Sequence, residues 1–116
     1  MALVTLKRFN GNKAGEVYDI DLLVNEKGVA YIEDYGNHYM VHLLCGNAIR
    51  IENLKAFSPQ SISGIMRYEK KNASEYKDVH VFPDNITAIM PAHGSGYDIG
   101  FTGNRAHVTV KTLDPL

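Results

Sequence analysis

The sequence predicts a mainly β protein, an antiparallel barrel or sandwich built from hairpins, with one short helix. Two apolar runs stop at a Gly-Asn pair, at residues 46–47 and 103–104, and a second run resumes directly after each. Gly supplies the positive φ that tight turns need and Asn tolerates it, so this pattern is typical of a two-residue β-hairpin. Most other segments alternate apolar and polar residues with the period of a half-buried strand.

The N-terminal third predicts three strands. Residues 3–9 alternate in polarity and end at the turn-forming residues 10–12. Residues 16–23 alternate again, with acidic side chains on one face and apolar ones on the other. A polar turn over 25–28 then leads to a short strand over 29–33. The first Gly-Asn hairpin follows.

The middle of the chain predicts the helix. Ser58 is a good N-cap residue, and Pro59 suits the first helical position. Three apolar residues recur at helical spacing after them: Ile62, Ile65 and Met66. We therefore expect a short helix or helical turn over 59–69, and the alternative is a strand over 64–70.

The C-terminal third returns to strands, over 79–82 and 86–90, before the second Gly-Asn hairpin over 97–112. A two-residue loop at 103–104 would place Ile99 opposite Val108 and Gly100 opposite His107. One face of this hairpin is then apolar and is predicted to join the core: Tyr97, Ile99, Phe101, Ala106, Val108 and Val110. The other face is polar.

The first hairpin predicts an interface. Read with a two-residue loop, it carries apolar side chains on both faces, and one face holds Tyr39, Val41 and Leu43. A strand pair that is apolar on both sides needs two covers, and the short helix is too brief to supply the second. We expect these three residues to contact another subunit, so that Val41→Asp would weaken assembly and leave the fold intact.

A second group of residues could bind a small anionic molecule such as a nucleotide. Arg50, Arg105 and His107 offer hydrogen-bond donors that suit an anion. Tyr97 lies near a turn and could stack on a planar group. The alternative is that the polar face carrying Arg105 and His107 is only solvated surface.

Catalytic and metal sites are not expected. A single cysteine, Cys45, excludes an internal disulfide and a cysteine-rich zinc site. His38 and His42 lie four residues apart on a predicted strand, which separates them by about 13 Å, too far to share one ion. The sequence has no nucleophile-elbow, phosphate-loop or His-Glu-x-x-His motif. We therefore expect no enzyme activity, no metal and no cofactor.

Charge and hydropathy limit the partners and the location. The formal net charge is −1, whereas proteins that bind duplex nucleic acid carry a clear basic excess. No apolar stretch approaches the roughly 20 residues that span a bilayer, and residues 1–8 do not resemble a signal peptide. We expect a cytoplasmic protein, or a virion protein if the source is viral, with neither duplex nucleic acid nor membrane as partner.

These observations together predict one β-rich domain over residues 1–116, acting as a non-enzymatic structural or accessory module. It would assemble with itself or dock on a larger protein, and a compact hairpin-built chain would suit a viral or phage component. The alternative function is the soluble binding of a small anionic ligand. Residues 38–54 and 96–112 share the Gly-Asn pair and an apolar rhythm, which leaves a hairpin duplication open, although unrelated hairpins share these features too.

Overall fold

The computed structural model describes residues 3–12, 15–54, 62–70, 73–92 and 96–113. Within them the chain forms eleven strands, whose bounds are β1 Leu3–Asn12, β2 Gly15–Asn25, β3 Val29–Asp34, β4 Tyr39–Leu43, β5 Ala48–Ile51, β6 Ile62–Lys70, β7 Ala73–Val81, β8 Ile86–Pro91, β9 Tyr97–Phe101, β10 His107–Val110 and β11 Thr112–Leu113. Two single 3-10 turns, Glu26–Gly28 and Pro83–Asn85, precede β3 and β8. The predicted mainly β class is confirmed.

The strands form two antiparallel sheets. The larger has eight strands in the order β11-β6-β7-β3-β4-β5-β1-β2, and the smaller has three in the order β10-β9-β8. Among the described residues, the end strands β11 and β2 do not pair with each other, so the larger sheet does not close. The barrel prediction is therefore not met, because closure needs a ladder between the first and last strands.

The predicted helix over 59–69 is wrong. Residues 62–70 form β6, which pairs with β7 along its whole length, and Ser58 and Pro59 lie outside the described residues. The helical spacing of a few apolar residues did not decide the structure, because nine cross-strand pairs override a weak local preference. In the described residues the only helical elements are the two 3-10 turns. The alternative strand over 64–70 agrees with β6.

The first Gly-Asn hairpin differs in register from the prediction. Val41 lies opposite Ile49, and the loop has three residues, because the Leu43 amide donates to the Asn47 carbonyl at 2.8 Å. Gly46, at φ +97°, closes a turn in which its amide donates to the Leu43 carbonyl at 3.0 Å. A tight turn followed by a glycine with positive φ is the common three-residue hairpin. Compared with the predicted register, the pairing of β4 with β5 is shifted by an odd number of residues. Every β5 side chain therefore lies on the opposite face of the hairpin from the one predicted.

The second Gly-Asn hairpin has the predicted register. Val108 lies opposite Ile99 and His107 opposite Gly100. The turn itself begins earlier than predicted. The Asn104 amide donates to the Phe101 carbonyl at 3.0 Å, so the turn spans residues 101–104, and Gly103 has a positive φ at its third position. The predicted core face is confirmed. Its buried residues are Ile99, Phe101, Ala106, Val108 and Val110, and Tyr97 is half-buried beside them.

Two apolar clusters lie on the two faces of the central strand β3. Tyr31 faces the smaller sheet, and its ring stacks on Phe101 with 5.8 Å between centroids. Val29 and Ile32 pack on the opposite side, in a cluster that includes Leu6 of β1. The smaller sheet therefore covers one face of the larger sheet at β3 and β7, while the β1–β2 hairpin contributes to the other face.

Hydrogen bonds of Asn85 link the smaller sheet to the larger one. Its side-chain amide donates to the carbonyls of Lys27 and Val29, at 2.8 and 2.7 Å. Its own carbonyl accepts the Thr102 amide at 2.9 Å. These three bonds join the turn before β3, the turn before β8 and the β9–β10 loop at one end of the molecule.

Candidate functional site

The predicted interface residues lie on the core face of the first hairpin. Val41 is completely buried within the chain, and Tyr39 and Leu43 are half-buried against the same apolar cluster. In the observed register they share this face with Ile49 and Ile51, which are buried too. The predicted assignment of side chains to the two faces is therefore wrong, because the odd shift in register moves Ile49 and Ile51 to the side of Val41. Met40 and Ala48 lie with His42 and Arg50 on the other side.

The predicted ligand-binding residues are distributed over two sheets. Arg105 and His107 are exposed on the polar face of the second hairpin, while Tyr97 points to the core face of the same hairpin. Arg50 lies in β5 of the larger sheet, opposite Met40, and is half-buried. The structure therefore brings Arg105 and His107 onto one surface and places Tyr97 on the other side of that sheet.

The tips of the two Gly-Asn hairpins lie side by side. A Cβ atom at Gly46 would lie 3.8 Å from the Cβ of Arg105, and one at Gly103 would lie 3.9 Å from the Leu44 carbonyl oxygen. Both glycines adopt positive φ. The sequence signalled each turn separately, but only the packing of the two sheets puts Arg105 next to the first hairpin.

A polar cluster of five side chains, the Glu33 cluster, lies on the face of the larger sheet that the smaller sheet partly covers. Its members come from β3, β4, β7 and the turn after β3: Tyr31, Glu33, Tyr35, His42 and Lys77. Glu33 is the one buried charged residue among those whose burial is described, at 6% exposure. Its carboxylate binds His42 Nε2 through one oxygen and Lys77 Nζ, at 2.5 Å, through the other.

Strand register explains how the Glu33 cluster forms. Glu33 lies opposite Met40 on one neighbouring strand and opposite Val79 on the other. His42 and Lys77 are two residues along from these partners, so they lie on the same face as Glu33 and diagonal to it. The two diagonal contacts tie three adjacent strands together.

Aromatic rings surround the charged groups. The His42 ring stacks on Tyr31 with centroids 4.2 Å apart, and Lys77 Nζ lies 4.1 Å from the centre of the Tyr35 ring. The Tyr35 hydroxyl donates to Glu33 at 3.2 Å. These contacts exclude water from the charges, which strengthens their interaction.

The electrostatics of the cluster follow from burial and pairing. Burial alone would raise the pKa of Glu33, but hydrogen bonds and positive charge from His42 and Lys77 outweigh it and lower that pKa to about 2. Burial would lower the pKa of Lys77, and its bonds to Glu33 and Tyr35 raise it instead. Burial and then the Glu33 charge raise the pKa of the Tyr31 hydroxyl. Glu33 is therefore held ionised inside the protein.

The arrangement suits a structural role, in which the Glu33 cluster holds adjacent strands together. Both Glu33 oxygens are bound, and no group of three or more potential metal ligands occurs among the described residues. Only a weak pattern in the sequence indicates the cluster: Tyr31, Glu33 and Tyr35 are two residues apart, and His42 interrupts an apolar run. The partners themselves are nine and forty-four positions away from Glu33, so sequence spacing could not join them.

An open cleft of about 690 Å³ lies between the C-terminal end of β2 and the β4–β5 hairpin. Its walls are mostly aliphatic, and no charged side chain lines it among the described residues. Leu23, which is 65% exposed, and the exposed thiol of Cys45 contribute to its lining. The cleft adds uncharged surface beside the edge strand β2.

Comparison with known proteins found no matching protein family, no similar curated protein and no matching solved structure. In the described part of the chain, no helix has both the length and the apolar character that crossing a bilayer would need. What this protein does is therefore inferred below from its own geometry.

Proposed function

We propose that this chain is a non-enzymatic structural or accessory module that acts by assembling with copies of itself. Docking on a larger protein is the second form of the same function, and a virus or phage particle is a setting that suits it. The observation that carries the proposal is that two long hairpins continue past the sheet as two-stranded ribbons.

The β6–β7 hairpin forms the first ribbon. β7 pairs with β3 only through residues 79–81, and β6 pairs with β11 only through residues 64–65. Beyond them, residues 67–70 and 73–76 pair with each other, and within the described residues their backbones have no further ladder. At about 3.3 Å per residue, this outer ribbon reaches roughly 13 Å beyond the sheet.

The β1–β2 hairpin forms the second ribbon. β1 and β2 share ten residue pairs, but Arg8 is the one β1 residue with a ladder partner on β5 among the described residues. Past Arg8, residues 9–12 pair with 15–18 and have no other ladder partner among the residues that the structure describes. The molecule is accordingly a wide slab of 43 × 41 × 23 Å, with a radius of gyration of 14.6 Å, against roughly 13 Å for a compact domain of this length.

Ribbons of this kind support assembly for a thermodynamic reason. An isolated two-stranded hairpin is marginally stable in water, and packing against further structure is what stabilises it.

The experiment shortens each ribbon and measures assembly. In one variant, residues 68–75 are replaced by Asn-Gly, so that Arg67 and Tyr76, already opposite each other, close a two-residue hairpin. In the other, residues 10–17 are replaced in the same way between Phe9 and Tyr18. Sedimentation velocity at about 50 μM, where a contact with a Kd near 1 μM is almost saturated, reports the mass of each protein.

We expect the wild type to sediment as an oligomer and at least one shortened variant to sediment at a lower mass with an unchanged β-type circular dichroism spectrum. A wild type that is monomeric at this concentration and captures no protein in a cross-linked pull-down would overturn the proposal. If the wild type and both variants assemble equally, the ribbons do not form the contact between copies.

A further inference from the structure

In the part of the chain that the structure describes, the two sheets have four edge strands, which differ in how they discourage strand addition. β2 contains three acidic residues, Glu16, Asp19 and Asp21. β11 has only two residues, and β10 has four and is followed by the exposed Lys111. Charge and brevity are two of the devices that keep an edge strand from pairing with another chain, and proline and β-bulges are two others.

The edge strand β8 has neither charge nor brevity, and its protection is confined to its ends, with Pro91 at one end and a register shift between Ile86 and Ala88 at the other. Its six residues, Ile86–Pro91, carry no charge, and all of them except Ile86 are exposed. Ile89 and Met90 are adjacent and therefore point to opposite faces, yet they are 37% and 59% exposed. Within the described residues, β8 thus has exposed side chains on both faces and no ladder partner along its outer edge.

The uncovered part of the smaller sheet includes its core face. Ile89 lies opposite Ile99, so the two side chains share a face, and Ile99 is completely buried. The apolar residues that bury Ile99 do not extend over Ile89. An apolar edge left open at the margin of a core is a site for a further strand.

We propose that β8 pairs antiparallel with β8 of a second copy of this chain, which joins the two smaller sheets into one six-stranded sheet. This inference rests on the proposed self-assembly and adds a second contact surface to the two ribbons. A two-fold axis brings a strand against itself in the antiparallel sense, so one uncharged strand supplies both halves of the contact. No like charges meet across the axis, because residues 86–91 contain none.

The pairing has natural limits. Pro91 has no amide hydrogen, so the ladder ends there. Four to six residues a side make a small interface, and its stability would come from main-chain hydrogen bonds and from burying Ile89 and Met90 of both copies. Such an interface lies at the weak end of specific contacts, so the dimer is expected to dissociate on dilution.

The test uses Met90→Lys, with Leu23→Lys as the matched control. Both replace a well-exposed apolar side chain by lysine, and Leu23 lies on β2, in the other sheet. Sedimentation velocity over a concentration series gives the dimer dissociation constant of each full-length protein. Hydrogen exchange of the amides of residues 86–90, at low and high protein concentration, reports whether this edge is covered.

We expect Met90→Lys to weaken the dimer at least tenfold, Leu23→Lys to leave it unchanged, and the β8 amides of the wild type to exchange more slowly at high concentration. If the wild type assembles and Met90→Lys assembles equally well, the β8 contact is wrong while the proposed function stands. If the wild type stays monomeric at every concentration, both the β8 contact and the proposed self-assembly are wrong. A dimer that Met90→Lys abolishes but ribbon shortening leaves intact would keep this inference and remove the ribbons from the interface.

Discussion

Acid sensitivity of the Glu33 cluster gives the sharpest test of the structure. We predict that replacing Glu33 by Gln makes the free energy of unfolding less dependent on pH between pH 5 and pH 3. Glutamine keeps the size and the hydrogen-bonding oxygen of the protonated side chain but cannot titrate. The pKa of Glu33 is about 2 in the folded protein, against 4.5 for the unperturbed group.

The magnitude follows from this pKa difference. A carboxyl group whose pKa is lowered by folding stabilises the protein fully above its unfolded pKa and loses that contribution as the pH falls through the folded pKa. At about 1.4 kcal/mol per pKa unit, the full contribution of Glu33 is about 3 kcal/mol. About 2 kcal/mol of it is lost between pH 5 and pH 3, since most of the proton uptake by the unfolded chain falls in this interval.

The assay is urea unfolding followed by circular dichroism, at closely spaced pH values from 5 to 3, for the wild type and the Gln variant. Glu52→Gln, which changes an exposed carboxylate, is the control and should follow the wild type. The stability advantage of the wild type over Glu33→Gln should shrink by about 2 kcal/mol across the interval. Parallel curves for these two proteins would refute the ionised, paired state of Glu33.

Three further predictions test the packing. Phe101→Ala should cost about 3–5 kcal/mol because it empties a core position, whereas Thr102→Ala, at an exposed site, should cost well under about 1 kcal/mol; similar losses on urea unfolding would contradict the register of the second hairpin. Val41→Asp should abolish the cooperative thermal transition, because it buries an unpaired charge at a position with no exposure; a folded variant would reverse the placement of Val41. Gly96→Ala should lower stability by more than the roughly 1–3 kcal/mol of its strained φ of +89°, since the new Cβ would lie 2.3 Å from the Val110 carbonyl oxygen; an unchanged melting temperature would argue against that close approach.

The second hairpin shows what local sequence can determine. Its apolar residues alternate strictly on both sides of the turn, which excludes every register shifted by an odd number of residues, and the position of the turn selects the register that the structure has. A shift of the turn by one position did not change the register, because burial of Ile99, Phe101 and Val108 excludes an odd shift.

The first hairpin shows where local sequence is insufficient. Its second strand, residues 48–51, has apolar residues that can pair in more than one register, and Gly46 can supply its positive φ in a two-residue or a three-residue loop. The register was decided by the apolar cluster that Val41, Ile49 and Ile51 join, which includes Leu6 from a strand far away in sequence. The predicted assignment of its side chains to the two faces was wrong for this reason.

The sequence by itself determined the mainly β class, the positions of the two Gly-Asn hairpins and the core face of the second, because turn residues and alternation are local properties. Tertiary structure alone decided that residues 62–70 form a strand, that β8 is left at an open edge and that Glu33 meets His42 and Lys77. Each of these depends on which strands become neighbours. Strand order is set by burying apolar surface over the whole chain, and no segment of the sequence carries that information alone.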